Sequence, residues 1–267
     1  MAIGTLAAAE HNLRRRIDLC REVGDEFRDA VGHQEVGRLL AYREEFGEAE
    51  EQLKVSTKYW KKTDEAQGVC IDETYRALWA LLMGDHAAAL TAAQKARELA
   101  EVRKYEGDFW RSEWLLGAAL TGVASPQKQD KLLAEAETHL TEALTRCGRI
   151  NKVELEPDIL LAWAGWHKAK GKGQEAKKQA EEALAIADRC EYRLKQAEIH
   201  NFLAKQAMEA GDRKTAQQHA ETAYERAWCA GPPHCYKPAL EQAEKMLKQL
   251  GVPLPRLAKS NLDGKKW

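Results

Sequence analysis

Small residues return at nearly fixed distance along the whole chain, and no other feature restricts the fold as strongly. Ala49, Ala89, Ala136, Ala176 and Ala216 are separated by 40, 47, 40 and 40 residues. A second column follows four residues behind them (Leu53, Ala93, Leu140, Ala180, Ala220), and a third three residues further on (Ser56, Ala96, Ala143, Ala183, Ala223). Twelve residues ahead of the first column stand Gly37, Ala77, Ala164 and Ala204, with Gly117 filling that role in the interrupted unit. Self-similarity at a fixed period marks a stacked repeat protein, in which each unit buries its apolar face against its neighbours.

The rest of the composition agrees with such a stack. At 267 residues a single globular core is near its upper size, whereas a solenoid has no such ceiling. Proline is scarce, and long stretches are Ala, Leu, Glu, Lys, Gln and Arg, the strong helix formers. Charged residues make up 31% of the chain but balance to a net −1, which argues against a nucleic-acid binder reading phosphates. No apolar run approaches the roughly 18 residues of a membrane span, and the N-terminus lacks the order of a signal peptide. A soluble, cytoplasmic, all-helical protein is expected. Cys20 and Cys147 fall in a column otherwise held by Ala100, Ala187 and Ala227, so they read as buried filler and not as a disulfide framework.

Each unit reads as two antiparallel helices. First helices are predicted over 28–44, 69–83, 109–122, 157–170 and 194–210, and second helices over 47–64, 86–103, 130–147, 174–190 and 214–229. Turns at Glu44-Glu45-Phe46-Gly47, Gly84-Asp85-His86, Gly171-Lys172-Gly173 and Gly211-Asp212-Arg213 supply glycines that can end a helix left-handed. Residues 26–230 thus form five hairpins, with an insertion near 124–131 where Ser125-Pro126 and the polar run to Asp130 lengthen one turn by seven residues. Residues 1–25 carry a lone helix in the register of a second helix, since Ala9 and Leu13 lie 40 before Ala49 and Leu53. That suggests a piece of a longer polypeptide, an array that docks at this end, or an atypical cap. Over 231–251, Ala230-Gly231-Pro232-Pro233 breaks the pattern, and a capping helix from Pro238 to Leu250 turns Ala239, Leu240, Ala243, Met246, Leu247 and Leu250 to one face. The remainder, 252–267, is expected to be flexible.

The order of small residues resembles the tetratricopeptide repeat (TPR): a small residue in the first helix, Ala twelve later, a core residue four on and Ala three beyond. The match spans residues 6–250. The period departs from the usual 34 or so, and the closing proline is absent. HEAT repeats share the longer period but kink the first helix at a proline, which none of these has. The resemblance implies an all-α, right-handed solenoid of antiparallel hairpins with a C-terminal capping helix. Forty-residue units ending in a segment such as 227–238 (AWCAGPPHCYKP) also resemble the C-terminal arrays of bacterial STAND-type NTPases of the NACHT and NB-ARC kind. That likeness implies a sensor array working with ATPase or effector domains elsewhere in the same polypeptide. The chain itself has no G-x-x-x-x-G-K-[ST] phosphate loop.

No enzymatic constellation stands out: H-E-x-x-H, C-x-x-C, G-x-S-x-G and G-x-G-x-x-G are all missing. Cys229, His234 and Cys235 form the densest group of metal-ligand types, but a fourth ligand is not evident. They read as part of a turn locked into the cap by Trp228, the prolines and Tyr236, and no cofactor is implied. The expected function is non-catalytic protein or peptide binding on a concave face lined by the first helices. The inward positions are Gln34, Arg38 and Tyr42, then Thr74 and Leu78, Arg111 and Trp114, Asp158 and Leu161, and finally Glu198, Asn201 and Lys205. The lysine/asparagine clamp by which some TPR domains hold chaperone carboxyl termini is not reproduced. The alternative is a small-molecule sensor, which predicts an enclosed pocket near Trp110, Trp114, Trp163 and Trp166. An enzyme would need a pocket of strongly perturbed titratable groups.

Overall fold

A computed structural model describes residues 3–124, 129–151 and 153–258. Among them are twelve α-helices and one short 3-10 turn (Val153–Leu155), with no strand. The helices are α1 (Leu6–Val23), α2 (Glu26–Tyr42), α3 (Phe46–Lys62), α4 (Ala66–Met83), α5 (His86–Arg103), α6 (Glu106–Val123), α7 (Gln129–Arg149), α8 (Glu156–Ala169), α9 (Gly173–Arg189), α10 (Arg193–Glu209), α11 (Arg213–Trp228) and α12 (Lys237–Leu250). The chain is an all-α helical repeat solenoid. Helices α2 to α11 pair as five antiparallel hairpins, preceded by α1 and covered by α12. The expected insertion at Ser125-Pro126 lies outside the described residues, which resume at Gln129.

The small-residue columns are the seam of each hairpin. Ala49, Ala89, Ala136, Ala176 and Ala216 are all 0% exposed, as are the members of the two columns behind them. Gly37 and Gly117 show why the facing position must be small. A β-carbon on Gly117 would sit 2.5 Å from Leu140 Cγ, and one on Gly37 would sit 3.2 Å from the Ala49 carbonyl oxygen. Backbones this close gain dispersion contacts along the whole seam, and a larger side chain would force them apart. Cys20 and Cys147 are buried, as their column predicts.

Helix ends are set locally. Asp25, Asp85 and Asp212 accept from the backbone N–H three residues on, capping α2, α5 and α11. Gly84, Gly171 and Gly211 take the left-handed conformation at hairpin turns. The first turn differs from expectation: Glu44 is the left-handed residue (φ 59°), and Gly47 lies inside α3.

Successive first helices also touch one another, α2 with α4, α4 with α6, α6 with α8, α8 with α10 and α10 with α12. No two successive second helices approach to the same extent among the described residues. The array therefore curls toward its first helices until its ends meet. Leu6 is fully buried in one cluster with Leu194, Ala197, Tyr224 and Tyr236. Gly4 (φ 81°) lies so close to α10 that a β-carbon there would be 2.7 Å from Arg193 Cδ. Glu10 is ion-paired with Arg43 and lies 3.6 Å from His234, while Lys237 pairs with Glu44 at 3.1 Å. Tyr42 packs edge-on against Tyr236 with ring centroids 5.2 Å apart.

The capping helix buries Ala239, Leu240, Ala243 and Leu247 against Ala220, Ala223 and Ala227. Part of the stretch after it, expected to be flexible, makes contacts with the cap. Val252, Leu254 and Leu257 pack on that cluster, and Trp228 Nε1 donates to the Ala258 carbonyl at 3.2 Å. Residues 259–267 lie outside the described residues. No described helix is long and apolar enough to cross a membrane.

Candidate functional site

The curl brings side chains from six first-layer elements onto one inner face. There the chain builds a polar cluster and, beside it, a recess of about 420 Å³. That volume is within the usual range for ligand pockets, about 300–1,000 Å³. Its walls are apolar and come from α4, α6, α8 and α10: Leu78, Leu81, Leu82, Trp114, Ala118, Leu161, Ala162 and Phe202. Its base is polar, formed by Asp158, Lys195, Glu198 and Tyr236. His86, Asn201, Lys205, Pro238, Ala239 and Gln242 complete the lining, with Lys205 and Gln242 exposed at the mouth.

Lys195 organises the base. Its ammonium is ion-paired with Asp158 and donates to both oxygens of Glu198 at 2.9 and 2.8 Å. Tyr236 Oη donates to Glu198 at 2.6 Å. Burial pulls the Lys195 pKa down, but the two carboxylates more than reverse that and hold it above its ordinary value. Burial raises the Asp158 carboxyl against the pull of Lys195, and burial together with Glu198 pushes the Tyr236 phenol well up. Further along the face, Arg38 pairs with Glu35 at 2.5 Å, and Tyr75 Oη donates to the same carboxylate at 2.5 Å. Arg111 lies over the Trp110 ring, 5.0 Å from its centroid, and 3.8 Å from Asp108 Oδ1.

Of the twelve inward positions read from sequence, Leu78, Trp114, Asp158, Leu161, Glu198, Asn201 and Lys205 line this one recess. Arg38, Tyr42 and Arg111 belong to the adjoining polar face. Gln34 and Thr74 do not reach it. Gln34 is buried between α2 and α4, where its Nε2 donates to the Gly68 carbonyl at 2.8 Å and to Asp72 at 2.9 Å. Asp72 also accepts from Ser56 and Thr57, which explains a serine in a column of alanines. Thr74 is buried with its hydroxyl on the Ile71 carbonyl at 2.7 Å. Asn201, although at the wall, ties α10 to α12 through the Ala239 carbonyl at 2.8 Å.

The recess is not where the tryptophans pointed. Trp114 lines it, but Trp110 and Trp166 are core residues, and Trp166 Nε1 donates to the Leu133 carbonyl at 2.7 Å. Trp163 packs beside Trp166. Cys229 and Cys235 both pack in the cluster beside the cap, Cys229 Sγ facing Gly4, while His234 faces Glu10.

Sequence reading missed Lys195, Tyr236, Glu35 and Tyr75. A usable signal was present, because residues one repeat apart meet on neighbouring hairpins. Tyr75 bonds Glu35 across 40 positions, and Tyr236 bonds Glu198 across 38. No protein-family model matches this chain, and no curated protein matches it significantly.

Proposed function

We propose that this solenoid is a TPR-like, non-catalytic binding module of the cytoplasm, the sensor or scaffold part of a larger signalling protein. Its ligand is a short peptide segment of a protein partner, seated in the inner-face recess. The observation that carries this reading is the recess itself, with apolar walls from four helices over an ordered polar base. The contacts of Tyr42 with Tyr236 and of Glu44 with Lys237 occupy the inner face at the first hairpin. A long strand running through all five hairpins is therefore disfavoured, and a chain end or single turn fits better.

Lys195 and Tyr236 are both driven away from neutrality, the opposite of what a general acid or base at those two positions needs, whereas burial raises the Asp158 carboxyl. The TPR assignment rests on the register of small residues, and the signalling context on the likeness of residues 227–238 to STAND-type arrays.

Panning a displayed random-peptide library against the whole chain tests the reading. Selected peptides should lose at least tenfold in affinity for Leu78→Arg and Leu161→Arg, with helicity unchanged by circular dichroism. Peptides that bind both variants as well as the parent chain would place the ligand elsewhere and end the proposal.

A further inference from the structure

The base of the recess carries one negative charge more than it can neutralise. Lys195 directs its ammonium to Asp158 and to both Glu198 oxygens. An ammonium has three donors, so none remains for an incoming group. The Tyr236 hydroxyl is already donated to Glu198. A carboxylate or phosphate arriving at this base would meet two carboxylates, with the ammonium and the phenol already directed to them and the exposed donors of the lining those of Lys205 and Gln242.

The neighbouring cations do not change this balance. Arg38 has Glu35 at 2.5 Å, and Arg111 has Asp108 at 3.8 Å. Three cations (Arg38, Arg111, Lys195) therefore face four anions (Glu35, Asp108, Asp158, Glu198). The lining's other cation, Lys205, is exposed and so screened by solvent, whereas Lys195, Asp158 and Glu198 are largely shielded and there the two carboxylates outnumber the ammonium.

We infer that the recess takes a single ammonium or guanidinium group carried on an apolar body, the cation against Asp158 and Glu198 and the hydrocarbon against Leu78, Leu161 and Trp114. A bound cation supplies the missing countercharge in a site where burial magnifies its effect. An indole face also favours a cation over an anion. The shared chemistry has two sources, a free organic amine or a basic residue of a peptide flanked by apolar side chains. The inference rests on the recess being the binding site proposed for the module.

Titrating the whole chain with n-hexylammonium, n-hexanol and n-hexanoate, followed by Trp114-sensitive fluorescence and calorimetry, decides the matter. The order expected is hexylammonium tightest, hexanol about tenfold weaker and hexanoate weakest. Asp158→Asn should weaken hexylammonium about tenfold and leave hexanol unchanged, so an altered fold is distinguished from a lost charge. An N-acetylated Leu-Lys-Leu peptide, compared with its Leu-Gln-Leu counterpart, separates the peptide source from the free amine. Hexanoate binding as well as hexylammonium, or no binding of any of the three, overturns the inference without any variant. Library peptides that depend on Leu78 but carry no basic residue would overturn the cation and leave the peptide site standing. Hexylammonium binding with no peptide selected would do the opposite.

Discussion

The seam inside each hairpin and the face between hairpins are built on opposite plans. The seam repeats: five alanines in register, each 0% exposed, each opposed by a small residue of the first helix. The inner face does not repeat. Successive first helices present Tyr42, Leu78, Trp114, Leu161 and Lys205, with Arg38, Arg111, Asp158, Lys195 and Glu198 among them. Because the seam fixes backbone spacing with almost no side chain, the face is released from any packing duty that demands a pattern. Stability is concentrated in the regular layer, and recognition chemistry in the irregular one.

The largest effect comes from breaking the regular layer. Ala176→Leu forces a branched side chain between α8 and α9 at a fully buried site. It should cost about 3 kcal/mol, at the upper end for overpacking. In urea this appears as a lower midpoint with an unchanged slope. Lys205→Ala, exposed at the recess mouth, should change stability by less than about 0.5 kcal/mol. Equal losses for the two substitutions would erase the distinction between the layers.

A middle-sized effect separates two titrating sites, one buried and one half-buried, that tie helices together at opposite ends of the array. Asp72, between the first and second hairpins, has its pKa raised by burial to about 6 from 3.8, although Thr57, Gln34 and Ser56 donate to it. The native state therefore binds more protons than the unfolded chain between those values, and this group's contribution falls as pH rises through the window. His200 faces His219 at 2.9 Å, and burial, reinforced by His219, lowers it from 6.5 to about 4, with Asp188 opposing and Arg226 assisting. Here the unfolded chain binds more protons, so stability is lost as pH falls from 6.5 toward 4. His200→Asn should shrink the drop in Tm between pH 6.5 and 4.5, and Asp72→Asn should enlarge it, each by a few degrees. Thermal melts at the two pH values check both signs, and changes of the same sign in the two variants refute the assignment.

What could be read in advance follows the same division. The seam was legible because packing two backbones closely restricts every repeat in the same way, so the constraint is written five times. The register also predicts α5 over 86–103, where it lies, and α2 over 28–44, two residues late. The inner face was legible only as far as periodicity carries, to which residues point inward. Gln34 falls at an inward position by periodicity but turns to Asp72 of the next first helix, because a first helix also faces its neighbour. The contact of Tyr236 with Tyr42 is out of reach for a different reason. The bond of Tyr236 to Glu198 follows the repeat spacing, but its packing on Tyr42 joins opposite ends of the array, which only the closure of the curl brings together. Closure depends on accumulated small angles between hairpins, a quantity no single repeat encodes.

The smallest effect runs the other way and concerns the turns. Inside hairpins the left-handed position is glycine at 84, 171 and 211, whereas the four connections between hairpins use Asp64 (φ 55°), Lys104 (φ 52°), Asn151 (φ 51°) and Glu191 (φ 53°). A side chain there crowds the following carbonyl, at about 1–2 kcal/mol. Asp relieves part of this through local hydrogen bonds, but lysine has no such means. Glycine loses more backbone freedom on folding, which returns about 0.5–1 kcal/mol. Lys104→Gly should therefore raise stability by roughly 0.5–1 kcal/mol, and Asp64→Gly by less. Gly84→Ala, where nothing lies within 4 Å of the added carbon, isolates the conformational term alone and should cost about 1 kcal/mol. If Lys104→Gly destabilises instead, the lysine is held by its surroundings, and the connection between α5 and α6 is part of the regular layer after all.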